Sequence, residues 1–373
     1  MIRLGDGRQS MISWEAVMRR PEMDHLGYAI EDRERMIAAH LSALQSHWNV
    51  LQERPAYAVG ELPRTSSLLR FHSSHKLRDL HLNHFQLHHT LKALGEHALL
   101  YTASFSVNSW DMISNAKTAL ARMPLCENLA LDPGQTLLAA SIDRNKWCLY
   151  SLAAQAFHAR RAYKDLVNCS CFASARTVAV GGNFLEMNLI DVETAQEKQR
   201  VDTLAYVNSI DYADTHRLYG LAMDSTAVQL VDPRDRFRVG FLGGHLDYNF
   251  AVRFLNEHRI ATAGQDGSTR IWDLRRGGTE LRVLPGRNFG VYGLEFNPRD
   301  DVLYAIELYG YLHAYALRGP EVAEQTFLYP SILTGLALSP SLNRLFLGVM
   351  QTRFVPFNGV LVFETDPSKI QFA

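Results

Sequence analysis

GHLDYNFAVRFLNEHRIATAGQDGSTRIWDLR, from Gly244 to Arg275, decides the fold. After a Gly-His opening, NFAVRF alternates as a strand does, and IATAG reads as a second strand. Asp266-Gly267 is the dipeptide of a tight turn. A third strand then ends in Trp272-Asp273.

Taking Trp272-Asp273 as a register mark, equivalent positions recur at Trp110-Asp111, Tyr150-Ser151, Ile190-Asp191, Val231-Asp232, Tyr315-Ala316 and Phe363-Glu364. The marks lie about 40 to 48 residues apart and define seven units. Short apolar runs precede most of them: LLAAS, VAVGGN, LYGLAMD, LYAIE and LFLGVM. Turn residues Asp143, Asn183, Asp224 and Asp266 stand six or seven residues before the mark in four consecutive units, a coincidence that random β-rich sequence does not supply.

Along its whole length Gly244–Arg275 resembles a WD repeat. The resemblance implies an all-β fold, a seven-bladed WD40 β-propeller over residues 63–373, preceded by a short helical N-terminal extension and linker over 1–62. It also implies a hydrogen-bonded tetrad: Asp266 accepting from His245 or nearby backbone, His245 touching Thr262, and Thr262 taking the indole N–H of Trp272. A His, a hydroxyl and an Asp in one place imitate a nucleophilic triad. The chain nevertheless carries no G-x-S-x-G elbow, P-loop, H-E-x-x-H or G-x-G-x-x-G, so the tetrad is read as structural and no enzyme is expected.

Composition narrows the function classes. The 373 residues carry 38 Lys plus Arg against 39 Asp plus Glu, which leaves no global field to draw the molecule onto nucleic acid. The nearest basic run, Arg234, Arg236, Arg238, Arg270, Arg275, Arg276, Arg282 and Arg287, is interleaved with Asp232, Asp235 and Asp273 and reads as solvated surface. No apolar run is long enough to span a bilayer and no leader-like N-terminus is present, so an intracellular protein, cytoplasmic or nuclear, is expected. Cys126, Cys148, Cys169 and Cys171 are too few for a disulfide framework and lack paired zinc hooks. The seven histidines between His72 and His97 could bind metal only if DLHLNHFQLHH were helical, since on a strand His81 opposes His84 and His88. Neither cofactor nor metal is expected.

Before the repeat, Ile37, Leu41, Leu44, Trp48 and Leu51 are spaced 4, 3, 4 and 3, one stripe of a helix that packs on the propeller flank or on a partner. Pro55, Gly60 and Pro63 mark the linker. HFQLHHTLKALGEHALLYTASFSVNSWDMIS, from His84 to Ser114, and GHLDYNFAVRF resemble a little-characterised family of plant and fungal WD-repeat proteins, which also have a helical extension but bring no known catalytic residue or cofactor.

The expected function is a non-catalytic protein-binding scaffold, with an enzymatic or small-molecule-binding propeller as the competing class. By resemblance, Gln265, Asp247, Tyr248 and Met223 approach the mouth of the channel and are the candidate protein contacts. IATAGQDGSTRIWDLR, from Ile260 to Arg275, also resembles the box by which WD proteins dock on the adaptor of cullin-4 ubiquitin ligases, with Arg275 as the contact. Finally, the last unit lacks an outer strand, and SSLLRFH, from Ser66 to His72, is expected to pair beside Gly359 to Phe363 and close the ring.

Overall fold

A computed structural model describes residues 62–65, 68–82, 84, 87, 89–234, 238–287, 290–319, 321–351 and 357–365. The helical stripe Ile37–Leu51 and the start of the linker lie outside the described residues.

Strand β1 (Leu69–Lys76) precedes the repeat. The first sheet comprises β2 (Leu91–Ala93), β3 (Ala98–Thr102), β4 (Ser106–Asp111) and β5 (Ala116–Arg122). The second holds β6 (Leu129–Leu131), β7 (Leu137–Ile142), β8 (Lys146–Ser151) and β9 (Ala156–Ala162). Next come β10 (Val167–Ser174), β11 (Thr177–Gly182), β12 (Phe184–Asp191) and β13 (Glu197–Asp202). The fourth has β14 (Val207–Ala213), β15 (Leu218–Met223), β16 (Ala227–Val231) and β17 (Arg238–Gly243). β18 (Asn249–Phe254), β19 (Arg259–Gly264), β20 (Ser268–Asp273) and β21 (Thr279–Pro285) form the fifth.

The remaining strands are β22 (Val291–Asn297), β23 (Val302–Glu307), β24 (Tyr309–Ala316), β25 (Ala323–Leu338), β26 (Arg344–Met350) and β27 (Gly359–Thr365). With β1 they make one seven-stranded sheet, because β25 is continuous: Ala323 to Leu328 pair with β24, and Leu333 to Leu338 with β26. β1 pairs antiparallel with β27, Leu69 opposite Thr365 and Lys76 opposite Gly359, so the strand expected to close the ring lies beside the last unit and runs four residues further than expected.

Successive sheets meet through their first strands. β2 touches β6, β6 touches β10, and the order continues through β14, β18 and β22 to β25, which returns to β2. The core accordingly lies between sheets. Ala251, Ala261 and Ile271 of the fifth sheet pack on Leu303, Ala305 and Tyr315 of the next, and Leu99, Tyr101 and Trp110 pack on Ala337, Phe346 and Val362. Strands covered on both faces are apolar throughout, as in LYGLAM of β15, whereas outer strands such as EKQRVD of β13 alternate between half-buried and exposed. The leading residue of every register mark sits on a third strand and is buried: Trp110, Tyr150, Ile190, Val231, Trp272, Tyr315 and Phe363.

The connection from the second to the third strand and the connection to the next sheet lie at the same end, called here the upper face. They are tied by a recurring hydrogen bond: Asp143 N to Pro124 O at 2.8 Å, Asn183 N to Leu166 O at 2.9 Å, Asp224 N to Tyr206 O at 2.9 Å and Gln265 N to Tyr248 O at 2.8 Å. Glycine at 182 and 264 permits this approach, because a Cβ there would stand 1.9 Å from Leu166 O and 2.4 Å from Tyr248 O.

Candidate protein-binding face

The fifth sheet brings His245, Thr262, Asp266 and Trp272 together. His245 Nδ1 lies 3.1 and 3.2 Å from the two Asp266 carboxylate oxygens, and its Nε2 lies 2.7 Å from Thr262 Oγ1. Trp272 Nε1 donates to the same hydroxyl at 2.8 Å. Asp266 also accepts from Leu246 N at 2.9 Å, Ser268 N at 3.0 Å and Ser268 Oγ at 2.9 Å, so Ser268 is a fifth member that sequence reasoning missed. Burial alone would raise the Asp266 pKa, but the His245 ring and the two amides outweigh it and hold the carboxylate well below its usual range. The His245 and Asp266 side chains have no exposed surface, so no substrate reaches this Asp-His-hydroxyl cluster.

What the network does is fix a loop. Leu246 N is held by Asp266 and Tyr248 O by Gln265 N, which leaves the Leu246 side chain 42% exposed and Tyr248 half-buried on the upper face. The other proposed mouth residues are placed differently. Met223 is buried among Cys169, Met187 and Val207, Asp247 is buried with its carboxylate on Tyr248 N at 2.7 Å, and Gln265 is covered by Tyr292, whose hydroxyl donates to Gln265 Oε1. All three side chains are buried, Met223 against the preceding sheet and Gln265 under Tyr292 of the following one.

The upper face has apolar residues that the sequence did not single out. Among the described residues, the exposed large hydrophobics are Phe105, Ile113, Leu125, Leu185, Leu204, Tyr206, Phe241 and Leu246. Five of these eight lie in upper-face connections and Leu185 is the second residue of β12, beside one; Ile113 is at the opposite end and Phe241 on an outer strand. Scattered apolar residues need no explanation, but a one-sided distribution does.

Arg275 is at the lower end, in a short 3-10 helix spanning Leu274–Arg276 capped by Asp273. Its guanidinium is 59% exposed and held by Asp273 Oδ2 at 2.7 Å.

Three polar systems escaped the sequence reading. Asn128, Asn168 and Asn208 lie 40 residues apart, and each side-chain amide donates to the following unit: to Val167 O at 3.4 Å, Val207 O at 3.0 Å and Asn249 O at 2.9 Å. Asn168 and Asn208 also donate to the turn residues Asn183 and Asp224, both at 2.8 Å, which explains those turn residues in units without the tetrad. In the sheet after the tetrad, His313 is fully buried between Glu324 Oε1 at 2.8 Å and Glu307 Oε1 at 2.9 Å, with Arg287 on Glu324. Burial lowers the imidazole pKa, but the two carboxylates outweigh it and raise it to about 9. In the channel, Arg253 joins Asp211 at 3.4 Å and Glu295 at 2.8 Å, linking three consecutive first strands.

Burial pushes the Cys148 and Cys171 thiols up to about 12, leaving them unreactive. Among the described residues no three His, Cys, Asp or Glu side chains gather as a metal would require, and no helix is long and apolar enough to cross a membrane.

No protein-family model and no curated protein matches the chain. Solved structures do. The chain superposes on one from "Crystal Structure of Mitotic Checkpoint Complex" with a TM-score of 0.71 at 13% identity, over 84% of this chain and 99% of that one. "Structure of U3-55K" gives 0.68 at 13% identity over 81% and 99%, and "Crystal structure of RRP9 WD40 repeats" gives 0.67 at 13% over 82% and 99%. Identity this low speaks to fold alone, and the fold is the all-β WD40-repeat propeller.

Proposed function

We propose that the chain is a non-catalytic protein-interaction scaffold: an intracellular, seven-bladed propeller over residues 63–373 with an N-terminal extension over 1–62, whose upper face docks other proteins. Counting seven blades rests on dividing β25 between two four-stranded units, since its two halves pair with different neighbours. The observation that carries the docking face is the one-sided exposure of Leu185 on β12 and of Leu204, Tyr206 and Leu246 near Tyr248 on connections pinned by the tetrad and the recurring backbone bonds. An apolar patch on a rigid support loses little conformational entropy on binding.

The test is affinity capture followed by mass spectrometry. Proteins held by the parent should be lost by Leu204→Glu/Leu246→Glu and retained by Ile113→Glu at the lower end. Capture that survives the first variant and fails in the second rejects the upper face.

A second reading is a cullin-4 ligase receptor role through Ile260–Arg275. It is favoured by one observation: the Arg275 guanidinium is exposed and oriented by Asp273, as a directed contact to another protein needs.

A further inference from the structure

Between the outer end of β5 and the upper ends of β8 and β9 lies a groove of about 590 Å³. Its floor includes Pro124, Ile142 and Trp147, and its walls carry Arg122, Lys146, Arg160 and Arg161 against a single carboxylate, Asp143. Lys146 is paired with Asp143 at 2.9 Å and Arg161 with Glu197. Arg122 and Arg160 are exposed and form no ion pair among the described residues; the Arg160 guanidinium lies 3.7 Å over the Phe157 ring. A concave, partly apolar wall concentrates such a field even though the whole chain has a formal charge of only −1.

Beside the groove stand Phe105, 68% exposed, and Leu125, 36% exposed. They belong to the same corner: Met123 N donates to Phe105 O at 3.0 Å and Asp143 N to Pro124 O at 2.8 Å. We propose that this groove takes an acidic linear peptide segment of a protein partner, with carboxylates on Arg122 and Arg160 and an apolar side chain against Phe105 and Leu125. The inference rests on the scaffold reading and names the chemistry of one partner on the same face. A nucleic acid fits less well: Trp147 is buried and cannot stack on a base, and exposed Leu125 beside Phe105 offers apolar surface with no role toward phosphates. Guanidiniums meet carboxylates in paired, directed hydrogen bonds, and flanking apolar contacts reduce the solvent screening of those charges.

A display library of random short peptides is selected on the full chain, and the enriched consensus peptide is measured by fluorescence anisotropy. The expected consensus combines Asp or Glu with a large apolar residue. Its Kd should weaken about tenfold or more in Arg122→Glu/Arg160→Glu and with added salt. Tyr248→Ala should bind it as the parent does. Both arginines are exposed, so the double variant should melt like the parent; Arg122→Ala/Arg160→Ala supplies the same comparison if it does not. No enrichment, a consensus without acids, or equal binding by a folded double variant overturns the proposal. So does a mixed-sequence single-stranded RNA that binds the parent and is released by the same substitutions. If the peptide fails while capture of proteins through Leu204 and Leu246 persists, this inference alone falls; loss of both removes the scaffold reading as well.

Discussion

The indole nitrogen of Trp272 donates to Thr262 Oγ1 at 2.8 Å, and that hydroxyl in turn lies 2.7 Å from His245 Nε2. With Nδ1–H directed at Asp266, Nε2 accepts from the hydroxyl, and every polar atom in the relay has a partner among buried side chains. Removing Asp266 strands the His245 ring and the Leu246 and Ser268 amides. Asp266→Ala and Trp272→Ala should each lower unfolding stability by about 2 to 4 kcal/mol. Denaturant titration checks this, and parental stability in Asp266→Ala removes the structural role.

Gln325 latches the closing strand. Its Oε1 accepts from Leu68 N at 2.8 Å and Leu69 N at 2.7 Å, and its Nε2 donates to Leu69 O at 2.9 Å. Gln325→Leu leaves buried backbone groups unpaired and should cost about 2 to 4 kcal/mol. Arg70→Ala removes an exposed ion pair from β1 to Glu364 of β27 and should cost under about 1 kcal/mol. Equal effects of the two in thermal melts would show that the latch is not what holds β1.

His313 makes stability depend on pH in a predictable direction. A histidine raised to about 9 in the folded state contributes fully below its unfolded value and loses that contribution as pH rises through about 9. Glu324, which burial would raise but His313 and Arg287 lower to about 2, contributes above its unfolded value and loses it as pH falls toward about 2. Melting temperature should therefore decline from pH about 7 to about 10, by on the order of 1 to 3 kcal/mol in stability. His313→Gln should flatten that alkaline limb. A limb unchanged by the substitution would assign it to other groups.

Arg275→Ala should change stability by less than about 0.5 kcal/mol, since the guanidinium is exposed. Co-purification with the cullin-4 adaptor separates the two readings of its role: binding by the parent that is lost in this folded variant supports the ligase receptor. Equal binding by both, or none by the parent, ends it.

The repeat was legible because its marks, from Trp110 to Phe363, are large side chains in one register of the third strand, and blade packing demands apolar bulk there. The closing strand was legible from the missing outer partner of β27. Burial of Met223, Asp247 and Gln265 was not, because it depends on side chains of neighbouring strands, such as Tyr292 over Gln265. The same holds for the groove: Arg122, Lys146 and Arg160 stand on three strands of two sheets, and no local charge run announces them. Asn128, Asn168 and Asn208 did carry a visible period, but a search for apolar marks passes over amides. In β24 the register position of Arg270 is taken by His313, opposite Ala305 as Arg270 is opposite Thr262, so the sheet without the tetrad uses a different buried network.

Hydrogen–deuterium exchange on the chain with and without a captured partner tests the docking face most directly. Binding should slow exchange at residues 203–206 and 244–248, the connections that carry Leu204, Tyr206, Leu246 and Tyr248, and leave 112–116 at the lower end unchanged. Protection at 112–116 with none at 203–206 and 244–248 would contradict it.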